Sequence, residues 1–261
     1  MPLLSVEDLV VEYGSFRAVS DVGFTVEAGT TLAIVGESGS GKSTIAATLV
    51  RLLRPASGRI LLDGTDIAQL KEKQLRPLRH KIQMIFQDPY GSLDPHLTAK
   101  EIVAEPLRLR GKEDSGAAAL LDRVGLAAGS HDRRPAEFSG GQRQRIGIAR
   151  ALASEPELLV CDEATSALDV SVQAQVLDLL REIQAETGVA YVFISHNLGV
   201  VKEISDQVVV LRDGRVVESG PTDQVLTAPT DPYTRALRRA ALDPTTIQGR
   251  KPRAMLAGAK A

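Results

Sequence analysis

Several things are scarce in this sequence. Among its 261 residues there is one cysteine, Cys161, and no tryptophan, and aromatic residues make up only 3%. A single cysteine excludes an intrachain disulfide, and a reducing compartment is its natural setting. No uncharged apolar run approaches the ~18–20 residues a helix needs to cross a bilayer, so any membrane role is expected to be peripheral. An excess of positive charge is also missing. The formal net charge of -2 argues against a dedicated nucleic-acid binder. The opening residues, Met1-Pro2-Leu3-Leu4-Ser5-Val6-Glu7-Asp8, lack the basic-then-apolar order of a secretory signal and turn acidic at once. Residence in the cytoplasm is the expectation.

What is present is ordinary in bulk and specific in detail. Hydrophobic residues are 43% and charged residues 25%, as in soluble globular proteins. The length suits one large domain, or one domain with a small lobe, and is too short for two full catalytic domains. β-type runs at Val6 to Tyr13 and Val22 to Val26, punctuated by Gly14, Gly23 and Gly29, predict a small antiparallel layer. Thr31-Leu32-Ala33-Ile34-Val35 is a continuous apolar run ending at glycine, and Ile45, Leu49, Leu52 and Leu53 follow at helical spacing, which predicts a buried strand feeding a helix. Leu158-Leu159-Val160-Cys161 and Val189 to Ile194 have the same unalternating character, expected of parallel strands covered on both faces. Between them Val172, Val176, Leu179, Leu180 and Ile183 mark one face of an amphipathic helix.

From about residue 88 to 156 no buried strand is evident, and patches such as Ala117 to Val124 predict an inserted, mainly helical lobe. Val208 to Leu211 and Arg215 to Glu218 flank Asp213-Gly214, a dipeptide suited to a tight hairpin. Beyond Leu242 the composition turns to Pro, Gly, Lys, Arg and Ala without periodicity, so residues 243–261 are expected to form a flexible tail after a domain spanning 1–242.

Gly36-Glu37-Ser38-Gly39-Ser40-Gly41-Lys42-Ser43 fits G-x-x-x-x-G-K-[ST] between the predicted strand and helix, where a phosphate loop must lie. Its glycines let the backbone curl around phosphate, and its N–H groups join the positive end of the following helix, beginning with Ser43 and Thr44, to hold the anion. Lys42 is the candidate for the β- and γ-phosphates and the Ser43 hydroxyl for Mg²⁺. A flexible turn that merely caps a helix is the plainer alternative. The apolar strand ending in Asp162-Glu163 would put carboxylates at the carboxyl edge of a sheet, beside the phosphate loop. Asp162 suits the Mg²⁺ shell and Glu163 the base that polarises water, although an acidic pair there is often only a solvated turn. Cys161 reads as a small buried strand residue rather than a reactive thiol.

These two motifs occur in many phosphate-loop NTPases. Phe138-Ser139-Gly140-Gly141-Gln142, upstream of the acidic strand, resembles the signature of ATP-binding-cassette (ABC) ATPases. The resemblance runs from about Leu3 to Leu237 with every element in family order. It implies an α/β fold: a phosphate-loop NTPase core with a mainly parallel sheet, an N-terminal antiparallel β subdomain and an inserted helical subdomain. It further implies ATP and Mg²⁺ as cofactors and ATP hydrolysis as the activity. Tyr13 matches the aromatic residue that stacks on adenine. Gln87 matches the glutamine that senses Mg²⁺ and the γ-phosphate and contacts the membrane subunit. Ser166-Ala167-Leu168-Asp169 matches the loop that crosses to the opposite subunit, and His196 the histidine that holds the γ-phosphate.

By the same resemblance Ser139, Gly140, Gly141 and Gln142 would face the nucleotide of a second ATP-binding subunit, identical or homologous. Two transmembrane permease subunits, and indirectly an extracytoplasmic solute-binding protein, would complete a transporter at the cytoplasmic face of the membrane. Phe86 to Pro95, Ala167 to Gln175 and Asp231-Pro232-Tyr233-Thr234-Arg235-Ala236-Leu237 are similar to the oligopeptide and dipeptide import ATPases. Nickel importers share much of this pattern. Ala164, Asp231 and Phe138 depart from the residues common at those places, and none of the three is a phosphate-contacting group. Soluble family members acting on nucleic acid or the ribosome usually carry tandem cassettes, coiled-coil insertions or basic arms, and no such feature is visible here.

Overall fold

A computed structural model describes residues 1–88 and 90–242. The tail expected at 243–261 lies outside the described residues. The chain divides into two compact units, one formed by Met1–Leu70 with the chain from Tyr191 onward, the other by Lys71–Ala190.

The first unit opens with β1 (Leu4–Tyr13), β2 (Phe16–Val26), β3 (Thr31–Val35), α1 (Lys42–Leu49), β4 (Ser57–Leu62) and β5 (Thr65–Asp66). β2, β1, β4 and β5 form an antiparallel sheet in that order. Strand β2 begins six residues earlier than its sequence pattern suggests, because pairing continues down to Tyr13 opposite Phe16. Strands β4 and β5 were not anticipated. The register of β4 comes from β1, Leu62 lying opposite Leu4, a long-range partner that local periodicity does not reveal, and β5 in turn pairs with β4. Helix α1 stops at Leu49, short of Leu52, which is exposed. Arg51 takes a left-handed conformation (φ 57°), and its guanidinium donates to the carbonyls of Ile67, Leu53 and Leu70 at 2.8, 3.3 and 3.2 Å, locking the helix end.

The second unit contains α2 (Glu72–Leu75), β6 (Ile82–Ile85), α3 (Ala99–Leu109), α4 (Gly116–Arg123), α5 (Gly140–Leu152), β7 (Leu158–Asp162) and α6 (Val170–Thr187). β6 and β7 pair in parallel, with Ile85 beside Cys161. Between them the described residues form helices and turns. Thr98 caps α3 in a reciprocal box with Glu101. α6 buries Val176, Leu177, Leu179, Leu180 and Ile183, with Asp169 at its start and the left-handed Gly188 at its end.

The chain then passes through β8 (Ala190–Ile194), α7 (Leu198–Ile204), β9 (Gln207–Arg212), β10 (Arg215–Pro221), α8 (Thr222–Thr227) and α9 (Pro232–Leu242). β3 runs parallel to β8 on one side and β9 on the other, and β10 adds antiparallel to β9. All five residues of β3 and four of the six in β9 are buried, as their apolar runs require. The turn joining β9 to β10 is Asp213-Gly214, both with positive φ (48° and 75°), the two-residue hairpin expected of that dipeptide. Ala33, Val35, Leu198, Val201, Val208, Val210, Val225, Leu226 and Tyr233 pack into one buried cluster behind the end of β3. That cluster fixes where residue 36 begins.

Candidate functional site

Immediately after β3 the chain closes into a loop over residues 36–41 before α1 starts at Lys42. A Cβ at Gly36 would lie 2.3 Å from the Leu211 carbonyl, and one at Gly41 (φ 102°) would lie 2.8 Å from the Ala18 carbonyl, so both positions exclude larger residues. Lys42 is buried and its Nζ donates back to the carbonyls of Gly36 and Glu37 at 2.9 and 2.8 Å. The ammonium is thereby held inside the curl of the loop. Ser40 is 5% exposed, and its Oγ has no hydrogen-bond partner. Ser38, Gly39 and Ser43 are exposed, and Gly41 as N-cap offers α1 no side-chain cap. A buried cation and an orphaned hydroxyl at the start of a helix form a cradle whose chemistry fits a phosphate chain.

Two further contacts brace this loop from its own unit. The Gly214 N–H donates to the Ser40 carbonyl at 3.1 Å, and the Ser20 N–H donates to the Gly214 carbonyl at 2.8 Å. Thus the predicted hairpin turn also buttresses the loop. His196 is exposed two residues beyond β8, and Ser195 N donates to Ile34 O at 3.3 Å across from the end of β3. Tyr13 and Phe16 face each other where β1 turns into β2 and remain 49% and 65% exposed. Phe16 did not stand out in the sequence; its exposure only becomes evident once the hairpin is built.

The second unit has an acidic cluster of its own. Asp162 ends β7 and is buried, while Glu163 follows in the left-handed region (φ 47°), which is rare for a residue with a Cβ. Its carbonyl accepts from the backbone N–H and hydroxyl of Ser166, both at 3.0 Å, so the chain reverses at once. Gln87 Nε2 donates to Glu163 Oε2 at 3.1 Å, bringing together two residues identified separately. Phe86, Gln87, Asp88, Ser92, Arg150 and Asp162 line a cavity of about 450 Å³. Cys161 is fully buried, and burial, with the nearby Asp162 charge, pushes its thiol up to about 12, which suits an inert strand residue.

The glycine-rich signature also has a built geometry. Ser139 is the N-cap of α5: its Oγ accepts from Gln142 N at 3.3 Å, and Gln142 Oε1 accepts from Ser139 N at 3.0 Å. A Cβ at Gly141 would lie 2.4 Å from Val172 Cγ1, so glycine lets the first turn of α5 press against α6; Gly140 faces Leu168 more loosely. Asp169 caps α6, accepting from Val172 N at 3.0 Å and Ser171 Oγ at 2.8 Å. Those two bonds, the backbone one foremost, hold its carboxyl below the usual carboxylate range.

Comparison with known proteins follows the same lines. A family profile described as ABC transporter matches residues 19–166. The chain is 51% identical to the probable peptide ABC transporter ATP-binding protein y4tS of Sinorhizobium fredii, covering 95% of this chain and 75% of that one. It is 48% identical to the glutathione import ATP-binding protein GsiA of Salmonella typhimurium and 49% identical to the oligopeptide transport ATP-binding protein OppD of Mycobacterium tuberculosis. The chain spans only 41% and 38% of those two longer proteins. Among solved structures, the dimeric post-hydrolysis state of the ATP-binding cassette MJ0796 bound to ADP and Pi superposes with a TM-score of 0.76 at 29% identity, over 84% of this chain and 98% of that one. CbiO1 of Clostridium perfringens, part of the ABC transporter complex cbiONQ, gives 0.78 at 28% identity, over 98% and 99%.

Proposed function

This chain belongs to the ABC transporter family of ATP-binding cassettes, and from that premise we propose that it is the ATP-hydrolysing subunit of an importer for di- or oligopeptides. The observation that carries the reading is the loop after β3, where Lys42 is buried and turned onto the loop's own carbonyls beside the unpartnered Ser40 hydroxyl. Such a loop binds the phosphates of ATP through Lys42 and the N–H groups of residues 38–44. Tyr13 stacks on the base, and His196 contacts the γ-phosphate.

Ser43, in the phosphate loop, offers a hydroxyl, and Asp162 and Gln87, each in the second unit, offer carboxylate and amide oxygens; each is a hard donor of the kind Mg²⁺ takes. Mg²⁺, when bound, would supply electrostatic neutralisation of phosphate charge. Glu163 is the base: its carboxylate, oriented by Gln87, accepts a proton from the water that attacks the γ-phosphate. Ser139, Gly140, Gly141 and Gln142 act on the nucleotide of a second ATP-binding subunit, and Asp169 belongs to the loop that meets that subunit. Nucleotide then links the pair, and its hydrolysis releases them. The cassette comprises residues 1–242, with a helical subdomain near 88–156, and the region of Gln87 contacts the membrane partner in a transporter that has two permease subunits. Among the described residues no helix is long and apolar enough to cross a membrane; a peripheral position on the cytoplasmic face is part of the proposal. The peptide cargo is supported by the names of the relatives y4tS and OppD, each matched over about nine-tenths of this chain.

Equilibrium titration of the purified chain with ATP and Mg²⁺, joined to a phosphate-release assay, tests the enzymatic part. Absence of binding at millimolar ATP overturns it. Isolating the intact complex and measuring uptake of labelled peptides tests the cargo, and uptake of nickel or another solute in place of peptide rejects it.

A further inference from the structure

The Asp231-Pro232-Tyr233 segment marks a resemblance to one group of importers and has no place in the chemistry so far described. Its own construction is deliberate. The Glu218 carboxylate, on β10, accepts from the backbone N–H and hydroxyl of Thr230 at 2.7 and 2.8 Å and from Asp231 N at 3.2 Å. Asp231 Oδ1 in turn accepts from Tyr233 N at 2.7 Å and Thr234 N at 3.4 Å, capping α9. These bonds set the direction of the Tyr233 side chain. It enters the buried cluster of Ala33, Val35, Val208 and Val210 and is 2% exposed.

At the far end of that buried ring, the Tyr233 hydroxyl accepts a hydrogen bond from the backbone N–H of Glu37 at 3.1 Å, a contact across 196 positions. Glu37 is the second residue of the phosphate loop, and its carbonyl is one of the two that hold Lys42 Nζ. The Arg212 guanidinium lies over the Tyr233 ring, 5.1 Å from its centre, immediately before the hairpin turn whose Gly214 holds Ser40. The loop is therefore gripped at two places, at Glu37 by α9 and at Ser40 by the β9–β10 turn. Burial pushes the Tyr233 phenol up, so the group at Glu37 is a neutral hydroxyl under physiological conditions.

We infer that Tyr233 is a positioning residue of the nucleotide site: its hydroxyl fixes the start of the phosphate loop, so that the C-terminal helix α9 is a working part of nucleotide binding. The inference rests on the reading of residues 36–43 as a nucleotide loop. A purely packing role for this residue would be met by phenylalanine, since the ring alone fills the cluster. The hydroxyl adds one thing, a partner for the Glu37 N–H in a partly buried contact.

The test is Tyr233→Phe in the full chain, which keeps the ring, the cluster and the Arg212 contact. The expected result is an ATP and ADP dissociation constant about fivefold higher than that of the parent, the usual worth of one net hydrogen bond. Hydrogen exchange at the Glu37 amide is expected to quicken in the nucleotide-free protein. An unchanged dissociation constant overturns the inference whatever the melting temperature does, because a structural residue would alter only the latter. A weaker affinity with unaltered exchange at Glu37 overturns it as well, by placing the effect elsewhere. If the parent chain itself binds no ATP, the nucleotide reading fails and takes the inference with it; if the parent binds and the variant binds equally, only the inference fails.

Discussion

Gln87 Nε2 donates to Glu163 Oε2 at 3.1 Å, tying the segment after β6 to the acid that follows β7. The two residues are 76 positions apart, and they meet because β6 and β7 are parallel neighbours whose carboxyl ends lie side by side. The amide donates and the carboxylate accepts, so Gln87 fixes how the Glu163 side chain is presented. The left-handed backbone at Glu163 adds a second constraint on where that carboxylate points.

Glu163→Gln is expected to preserve ATP affinity while turnover falls on the order of 10²–10⁴-fold, the range usual for loss of a positioned acid or base. ATP-bound dimers should accumulate. Phosphate release, equilibrium titration and sizing chromatography with ATP and Mg²⁺ check this, and turnover equal to the parent's contradicts the role of Glu163.

Gln87→Ala removes the donor and leaves the acid in place. The expected outcome is a kcat lower by roughly tenfold or more, in keeping with a hydrogen bond to a charged group, and a KM within about twofold of the parent's. Steady-state kinetics decide it. A raised KM at constant kcat would assign Gln87 to ground-state binding.

The close packing of α5 on α6 is open to a steric test. In Gly141→Ala the new methyl carbon falls 2.4 Å from Val172 Cγ1, so the helices must part. Overpacking of this kind costs about 1–3 kcal/mol, measurable by urea denaturation. Val172→Ala in the same chain removes the obstructing methyl groups, and we expect it to restore part of both stability and turnover. Additive losses in the double variant would dismiss the contact as the cause.

Asp169 carries a pH signature. Its folded-state carboxyl is held low, so the cap on α6 contributes stability that is fully present above the ordinary carboxylate range and is lost as pH falls through the lower, folded value. Thermal midpoints of the parent and of Asp169→Ala should therefore differ near neutrality and converge under strong acid. A gap that stays constant from neutrality into that acid range rules the charged cap out.

Much of this was legible along the chain, and what was not has identifiable causes. Helix α6 could be read because Val176, Leu179, Leu180 and Ile183 recur at helical spacing and form its buried face. The Asp213-Gly214 hairpin could be read because two successive positive φ angles demand such residues. The end of α1 could not: Leu52 and Leu53 continue the helical pattern, and only the carbonyls of Ile67 and Leu70, brought by the fold, turn Arg51 out of the helix. β6 was overlooked because Gln83 and Met84 interrupt a four-residue strand of which only the end residues are fully buried. In the site, each motif announced itself by residue type and spacing. The bonds between motifs did not, since Gln87 with Glu163 and Tyr233 with Glu37 depend on strand order and on a helix nearly two hundred residues away.

The most direct measurement is phosphate release per chain over a wide range of protein concentration, with sizing chromatography alongside, first for the chain alone and then with its companion ATP-binding subunit. Ser139 and Gly140 are proposed to complete a neighbour's site, so the rate per chain should rise as chains associate, and Ser139→Ala in one member of a mixed pair should silence the nucleotide site of the other. A rate per chain that stays constant, down to dilutions at which only monomers elute, would contradict the shared site.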